Sequence, residues 1–444
     1  MAGVAGFGAL AGCPGSSTDD ETVTPARVPT ADAETPTPAQ ASQGPQATLT
    51  PADADGDDEF GETMAVSAGG TTVAVGAPAD EDPNGEVAGS VYVFEATDGG
   101  WTQRAKLAPD DGDSFDAFGY SVAVSSDGTT VLSGAETDDN ANGDSAGAAY
   151  VFEETDDMWT QRAKLTPDDG DSVDGVGCSV ALSDDGTVAL VGACEDEDPN
   201  GTLAGSAYVF GLADSTWSQR AKLAPDDGDS FDNAGASVAL SGDGTTALVG
   251  APGDEDPHGR LAGSAYVFEA ASGLWPQRAK LTPEDGDRQD FFGQSLAVSA
   301  DGATALVGAY SDEESNGDEA GSAYVFEVTD AGWSQRAKLT AEAGEDGDFL
   351  GFAVGLDSEG TVAVAGAPGS DAPDGDDAGA AYVFEAADRS WTQRAKLATE
   401  DRDSGDLFGR GVGVSGDGTT ALVGAPFDST EAGEFAGSVS VFTL

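Results

Sequence analysis

Residues 118–167, FGYSVAVSSDGTTVLSGAETDDNANGDSAGAAYVFEETDDMWTQRAKLTP, read as four short strands and no helix. Phe118 to Ser125 alternates small, apolar and polar residues and then meets Asp127-Gly128. That pair suits a tight hairpin, because primed turns need positive φ at their central residues. Thr129 to Ala135 follows as the second strand. A loop rich in Asp, Asn and Gly (Glu136 to Ser145) leads to Gly147 to Glu154, dense in β-formers, as the third. In the fourth, Trp159 to Pro167, the two-residue period places Trp159, Gln161, Ala163 and Leu165 on one face. Thr160, Arg162 and Lys164 take the other.

The unit recurs without insertion. Its Gly-Ala pair stands at Gly76-Ala77, Gly134-Ala135, Gly192-Ala193, Gly250-Ala251, Gly308-Ala309, Gly366-Ala367 and Gly424-Ala425, each step 58 residues. A period of this size marks a propeller, a solenoid or an array, and four strands repeated radially are propeller blades. A linear solenoid is the competitor, and the termini decide between them. The last repeat stops at Val441-Phe442, before any outer strand, while Gln46 to Pro51 (QATLTP) is an outer strand in register, Leu49 lying 58 residues before Leu107. The expected fold is therefore all-β: a seven-bladed β-propeller, four antiparallel strands per blade, whose N-terminal strand (46–51) closes the last blade. Closure removes the open sheet edges an array would keep.

The recurring Phe-Gly (Phe60-Gly61, Phe118-Gly119, Phe292-Gly293, Phe408-Gly409) followed by Gly-Ala-Pro (Gly76-Ala77-Pro78, Gly250-Ala251-Pro252, Gly366-Ala367-Pro368, Gly424-Ala425-Pro426) resembles FG-GAP repeats. These are the repeats of the integrin alpha-subunit propeller and of microbial surface proteins, and the resemblance covers Gln46 to Leu444. The Ala-Gly-x-x-Tyr-Val-Phe and Trp-x-Gln-Arg-Ala-Lys-Leu segments look like the microbial, lipoprotein type. Family members often hold calcium in an Asp-x-Asp-x-Asp-Gly loop between the first two strands. Here that connection is as short as Ser125-Ser126-Asp127-Gly128 or Ser183-Asp184-Asp185-Gly186, too short for the six or more oxygens calcium takes. That site does not carry over.

Eighteen basic and 82 acidic residues give a formal charge of -64, which forbids nucleic acid as a partner. Such a chain repels itself at low salt, whereas at molar salt the Debye length falls to roughly 3 Å. The balance fits an extreme halophile. Residues 1–13 differ in kind: Leu10-Ala11-Gly12-Cys13 resembles a lipobox, with Cys13 the lipidated residue, although no Lys or Arg precedes it as a signal peptide would have. Residues 14–45, rich in Thr, Pro, Ser, Ala and Asp, read as a disordered linker. The propeller occupies 46–444. Lipid plus linker would display it outside the cell, touching the membrane only through the lipid.

Cys178 and Cys194 occur in blade three alone, on its first two strands. A disulfide and two buried thiols both fit, because strand register is not set by sequence alone.

Acidic columns are the candidate cation or ligand loops. One Asp precedes each Phe-Gly or its equivalent by two residues: Asp58, Asp116, Asp174, Asp232, Asp290, Asp348 and Asp406. Asp80, Asp138, Asp196, Asp254 and Asp312 recur between strands two and three. In an up-and-down blade both connections emerge on one face, which would be a crown of carboxylates suited to calcium. The plainer alternative is an Asp that caps a turn through its own backbone. No other cofactor is implied. The basic pairs, from Arg104 and Lys106 to Arg394 and Lys396, are expected to share one face and pair with acidic loops, and the Trp column (Trp101 to Trp391) to pack between blades.

The single histidine, His258, has no neighbouring nucleophile pattern, so a catalytic triad is not expected. The function expected is a non-enzymatic, lipid-anchored binding or adhesion module, monomeric, with an extracellular protein or polysaccharide as partner. A hydrolase on the same scaffold and a passive envelope component are the alternatives.

Overall fold

The structure is a computed structural model and describes residues 44–81, 83–197, 199–255, 257–313, 317–371, 376–387, 390–399 and 403–444. Cys13, the leader and residues 14–43 of the linker lie outside them.

Every described strand belongs to one of seven four-stranded sheets, and no helix occurs among the described residues. Blade two shows the pattern: Ser121–Val124, Thr130–Ala135, Ala148–Thr155 and Met158–Leu165, each antiparallel to the next. Its second strand is buried at all six positions. A blade packed on both faces needs a nearly continuous run of small and apolar residues rather than alternation, and TVLSGA supplies one. Blade seven combines Val412–Val414, Thr420–Ala425 and Ser438–Thr443 with Ala47–Leu49, Ala47 opposite Val441 and Leu49 opposite Val439. The ring closes as the register of Leu49 and Leu107 implies.

The core is a set of seven seams between blades. Leu107 of blade one packs with Phe118, Tyr150 and Phe152 of blade two. Phe118 is fully buried and meets the Tyr150 ring edge-on at 5.7 Å. Two glycines set each seam. A Cβ added to Gly76 would lie 2.0 Å from the carbonyl oxygen of Gly119 in the next blade, and the clash recurs at every seam to Gly424 against Gly61, at 2.1 Å. The Gly of Gly-Ala is required because the next blade's backbone occupies the place of a side chain.

The outer strand differs from its simple alternation. Val151 pairs with Ala163 and Phe152 with Gln161, so Arg162 is an extra residue, a β-bulge repeated in blades one to six. A bulge reverses the facing of everything beyond it. Ala163 and Leu165 pack with blade three, whereas Trp159 packs with Tyr150 and Phe152 at the seam to blade one. Trp159 and Leu165 are thus on opposite faces. The Trp column packs between blades as expected, and Lys164, opposite Tyr150, is turned to the Trp side and away from Arg162.

The two ends of the central channel are unlike. At the end carrying the turns between first and second strands, a closed ring of backbone hydrogen bonds runs from Ala68 N–H to Ser126 O and on through residues 184, 242, 300, 358 and 416. Asp417 N–H returns to Ala68 O, and all seven bonds span 2.9–3.1 Å. The other face carries the remaining long connections of neighbouring blades, which bond each other, as Phe118 N–H does to Ala88 O at 2.9 Å.

Candidate functional site

Both acidic columns sit on the expected face, but not as an open crown. The seven side chains from Asp58 to Asp406 are 1–5 % exposed. Each accepts the backbone N–H three residues before it, Asp58 from Asp55 at 2.8 Å and Asp290 from Asp287 at 2.6 Å, and so caps the turn. Burial lowers the acidity of Asp58, Asp116, Asp174 and Asp232, pushed up to about 6, and of Asp290, pushed up to about 7, against the lowering effect of the turn hydrogen bond. Carboxylates buried and spent on turns are parts of the frame.

The second column is equally buried and closely held. Asp80 accepts the Tyr92 hydroxyl at 2.7 Å and faces Lys106 Nζ at 2.8 Å, and Lys106 also reaches Asp53 of the preceding loop at 3.1 Å. Blades two to five repeat the triad with Asp138, Asp196, Asp254 and Asp312. Each lysine lies 5.1–5.3 Å from its tyrosine ring centroid. Burial opposes the ammonium charge, yet the two aspartates outweigh it and raise the lysine pKa. The bulge makes this geometry, since without it Lys106 would point with Arg104. Arg104 instead pairs with Glu95 of its own blade, more exposed than the lysine. Among the described residues, no three His, Cys, Asp or Glu side chains converge to hold a metal ion.

One column that differs in every blade stands directly after the Phe-Gly position. That column reads Glu62, Tyr120, Cys178, Ala236, Gln294, Phe352 and Arg410, seven different residues after a glycine common to all blades. The seven line the wide mouth of the channel, a cavity of about 350 Å³ opposite the backbone ring. They follow a glycine whose left-handed φ (+98° at Gly61) ends the packed seam and starts the inner strand. The seam stays constant while the next side chain is free to vary.

The mouth is polarised. On one side Tyr310 stacks on Phe291 at 5.2 Å and meets Phe352 edge-on at 5.6 Å. Arg410 lies over Phe352 at 5.1 Å and Phe427 at 5.8 Å, and its Nε is 2.6 Å from Glu62. On the other side Glu136 is pushed up to about 7 by burial and by Glu195, and burial raises the Tyr120 phenol. Cys178 and Cys194 are here too, as free thiols. Cys194 is pushed well up by the adjacent Cys178 and by burial.

The aspartate columns are nearly constant from blade to blade, whereas the mouth column differs in every one. Laying the seven repeats over one another shows it.

The model of the FG-GAP repeat matches residues 44–94, 101–152, 159–210, 217–268, 275–326, 333–384 and 391–442. Each match starts at or near an outer strand and ends in the third strand of the next blade, the first one including residues 47–49. No curated protein matches the chain.

Proposed function

The chain belongs to the FG-GAP repeat family, and from that premise we propose that it is a non-catalytic binding module of adhesion type. Its contact surface is the wide mouth, and its partner an extracellular protein or polysaccharide. The carrying observation is the column from Glu62 to Arg410, seven different residues around one opening, each directly after a glycine that all seven blades share. A structural role common to all blades would keep one residue, whereas recognition of an asymmetric ligand needs different groups around the ring. The aromatic arc of Phe291, Tyr310 and Phe352 with Arg410 offers flat faces and one cation, a combination favoured at binding hot spots. Sugar rings and apolar side chains both stack on such faces.

The Leu10-Ala11-Gly12-Cys13 motif supports display by a lipid on Cys13, and the charge of -64 supports work in concentrated salt. Binding of the full chain to arrayed envelope polysaccharides and envelope proteins in molar salt tests the reading. A ligand bound by the wild type and weakened by Phe352→Ala supports it. Absence of any ligand up to about 1 mM, the weak limit of useful recognition, sinks it.

A further inference from the structure

One blade departs from its neighbours in charge. Between the second and third strands, blades one and three carry Asn84-Gly85-Glu86 and Asn200-Gly201-Thr202. Blade four, from strand Ser237–Leu240 to strand Gln277–Leu281, carries His258-Gly259-Arg260 there. The connection from blade four into blade five has Arg288 where the three connections before it have Ser114, Ser172 and Ser230. The two loops are bonded to each other, Gln289 N–H to Arg260 O at 3.1 Å. A Cβ added to Gly259 would lie 2.8 Å from Cγ of Arg288, so the Arg288 stem rests on that glycine. Outside the outer strands, the described Lys and Arg residues are these two and Arg410 at the mouth. Arg410 is paired with Glu62, whereas Arg260 and Arg288 have no acidic partner among the described residues.

Arg260 and Gly259 line a cavity of about 740 Å³ together with Phe231, Ser230 and Glu255. It lies on the wide face but shares no lining residue with the mouth. Phe231 is 59 % exposed and has a left-handed φ of +76°. The same position is Gly347 in the connection to blade six and Gly405 in that to blade seven, also left-handed, and glycine is the relaxed choice there. An aromatic ring that is neither packed nor relaxed points to a use outside the fold. We propose that this cavity binds an acidic sugar, a ring bearing hydroxyls and a carboxylate or sulfate. Guanidinium forks match carboxylates and other oxyanions, and the Phe231 face suits the apolar face of a sugar ring. Glu255 accepts hydroxyl hydrogens but repels a run of peptide carboxylates, which favours a sugar over an acidic peptide. The volume falls within the roughly 300–1,000 Å³ of small-ligand sites. At molar salt the Debye length is roughly 3 Å, so the local arginines, rather than the chain's charge of -64, decide which ion is held.

The test compares the full chain with three variants. Arg260→Thr/Arg288→Ser puts back residues that stand at these positions in other blades, Phe231→Gly takes the residue of Gly347 and Gly405, and Phe352→Ala/Arg410→Ala alters the mouth alone. Each is titrated calorimetrically in about 1 M KCl with an oligogalacturonate, the same oligosaccharide with its carboxyls reduced to alcohols, a sulfated form of that neutral sugar, and oligoglutamate. The wild type should bind an acidic sugar with a Kd of about 1 mM or tighter and the neutral one at least about tenfold more weakly. The arginine variant should lose about tenfold or more for the acidic sugar, and Phe231→Gly about fivefold or more. The mouth variant should stay within about twofold, so that failure here and failure of the mouth reading are told apart. Whichever acidic sugar binds more tightly identifies the charged group. The proposal is overturned if no acidic sugar binds by about 1 mM, if acidic and neutral sugars bind equally, or if the arginine variant binds as the wild type does. An equal loss in the mouth variant, or tighter binding of oligoglutamate, overturns it as well.

Discussion

The two ends of the channel are built from the same inner strands by opposite means. At the narrow end seven blades are joined by seven backbone hydrogen bonds, with small residues, Asp184 and Asp417 at the joining positions. At the wide end seven different side chains face the opening. A backbone bond makes no demand on side-chain identity, so it can hold every blade in one place while sequence varies elsewhere. The difference teaches where a highly regular repeat can store specificity: just past the seam glycines, where packing stops.

The sharpest way to break the comparison is to make a constant position differ. Gly250→Ala places a methyl about 2.1 Å from the Gly293 carbonyl and should cost about 4 kcal/mol or more in denaturant unfolding. Gln294→Ala, at the mouth beside the same seam, should change stability by less than about 0.5 kcal/mol. Similar losses from both would show that the mouth is structural.

A second contrast lies within the outer strand. Lys222 is 18 % exposed against an Asp196 carboxylate that is 4 % exposed. Lys222→Met leaves that carboxylate without its cation and should cost about 2–3 kcal/mol by the same measurement. Arg162 is 43 % exposed in its pair with Glu153, so Arg162→Ala should cost at most about 1 kcal/mol. If the two losses were equal, the bulge would not separate the basic pair as described.

The fold was legible because its signals are redundant: an unbroken period of 58 and an outer strand in register at the N-terminus state closure twice. The bulge was not legible, since Gln161, Arg162 and Ala163 all suit a strand and nothing in QRA marks an extra residue. Simple alternation therefore put Trp159 with Leu165. For the site, the aspartate columns were found and their use as turn caps was one of the two readings. A residue shared by all blades serves what all blades share, which is packing, and Tyr120 or Phe352 is visible only as a departure.

The smallest effect concerns the acidic side of the mouth. Folding raises the Glu136 carboxyl from an ordinary 4.5 to about 7. The native state thus favours the protonated form, so this group's share of stability is complete below about pH 4.5 and is lost as pH rises through 7. Glu136→Gln should match the wild type at pH 4.5 and melt about 2–5 °C higher at pH 8 in molar salt. A melting difference that did not change with pH would remove Glu136 from the buried side of the mouth.

The central claim, that recognition resides at the wide end, is tested most directly by one affinity comparison in molar salt. The full chain, Phe352→Ala/Arg410→Ala at the wide mouth and Asp184→Asn at the backbone ring would be titrated against the same envelope ligand. The account predicts a loss of about tenfold or more for the wide-end variant, and less than about twofold for Asp184→Asn, with both variants as folded as the wild type by circular dichroism. An unchanged affinity in the wide-end variant, or a larger loss in Asp184→Asn, would contradict it.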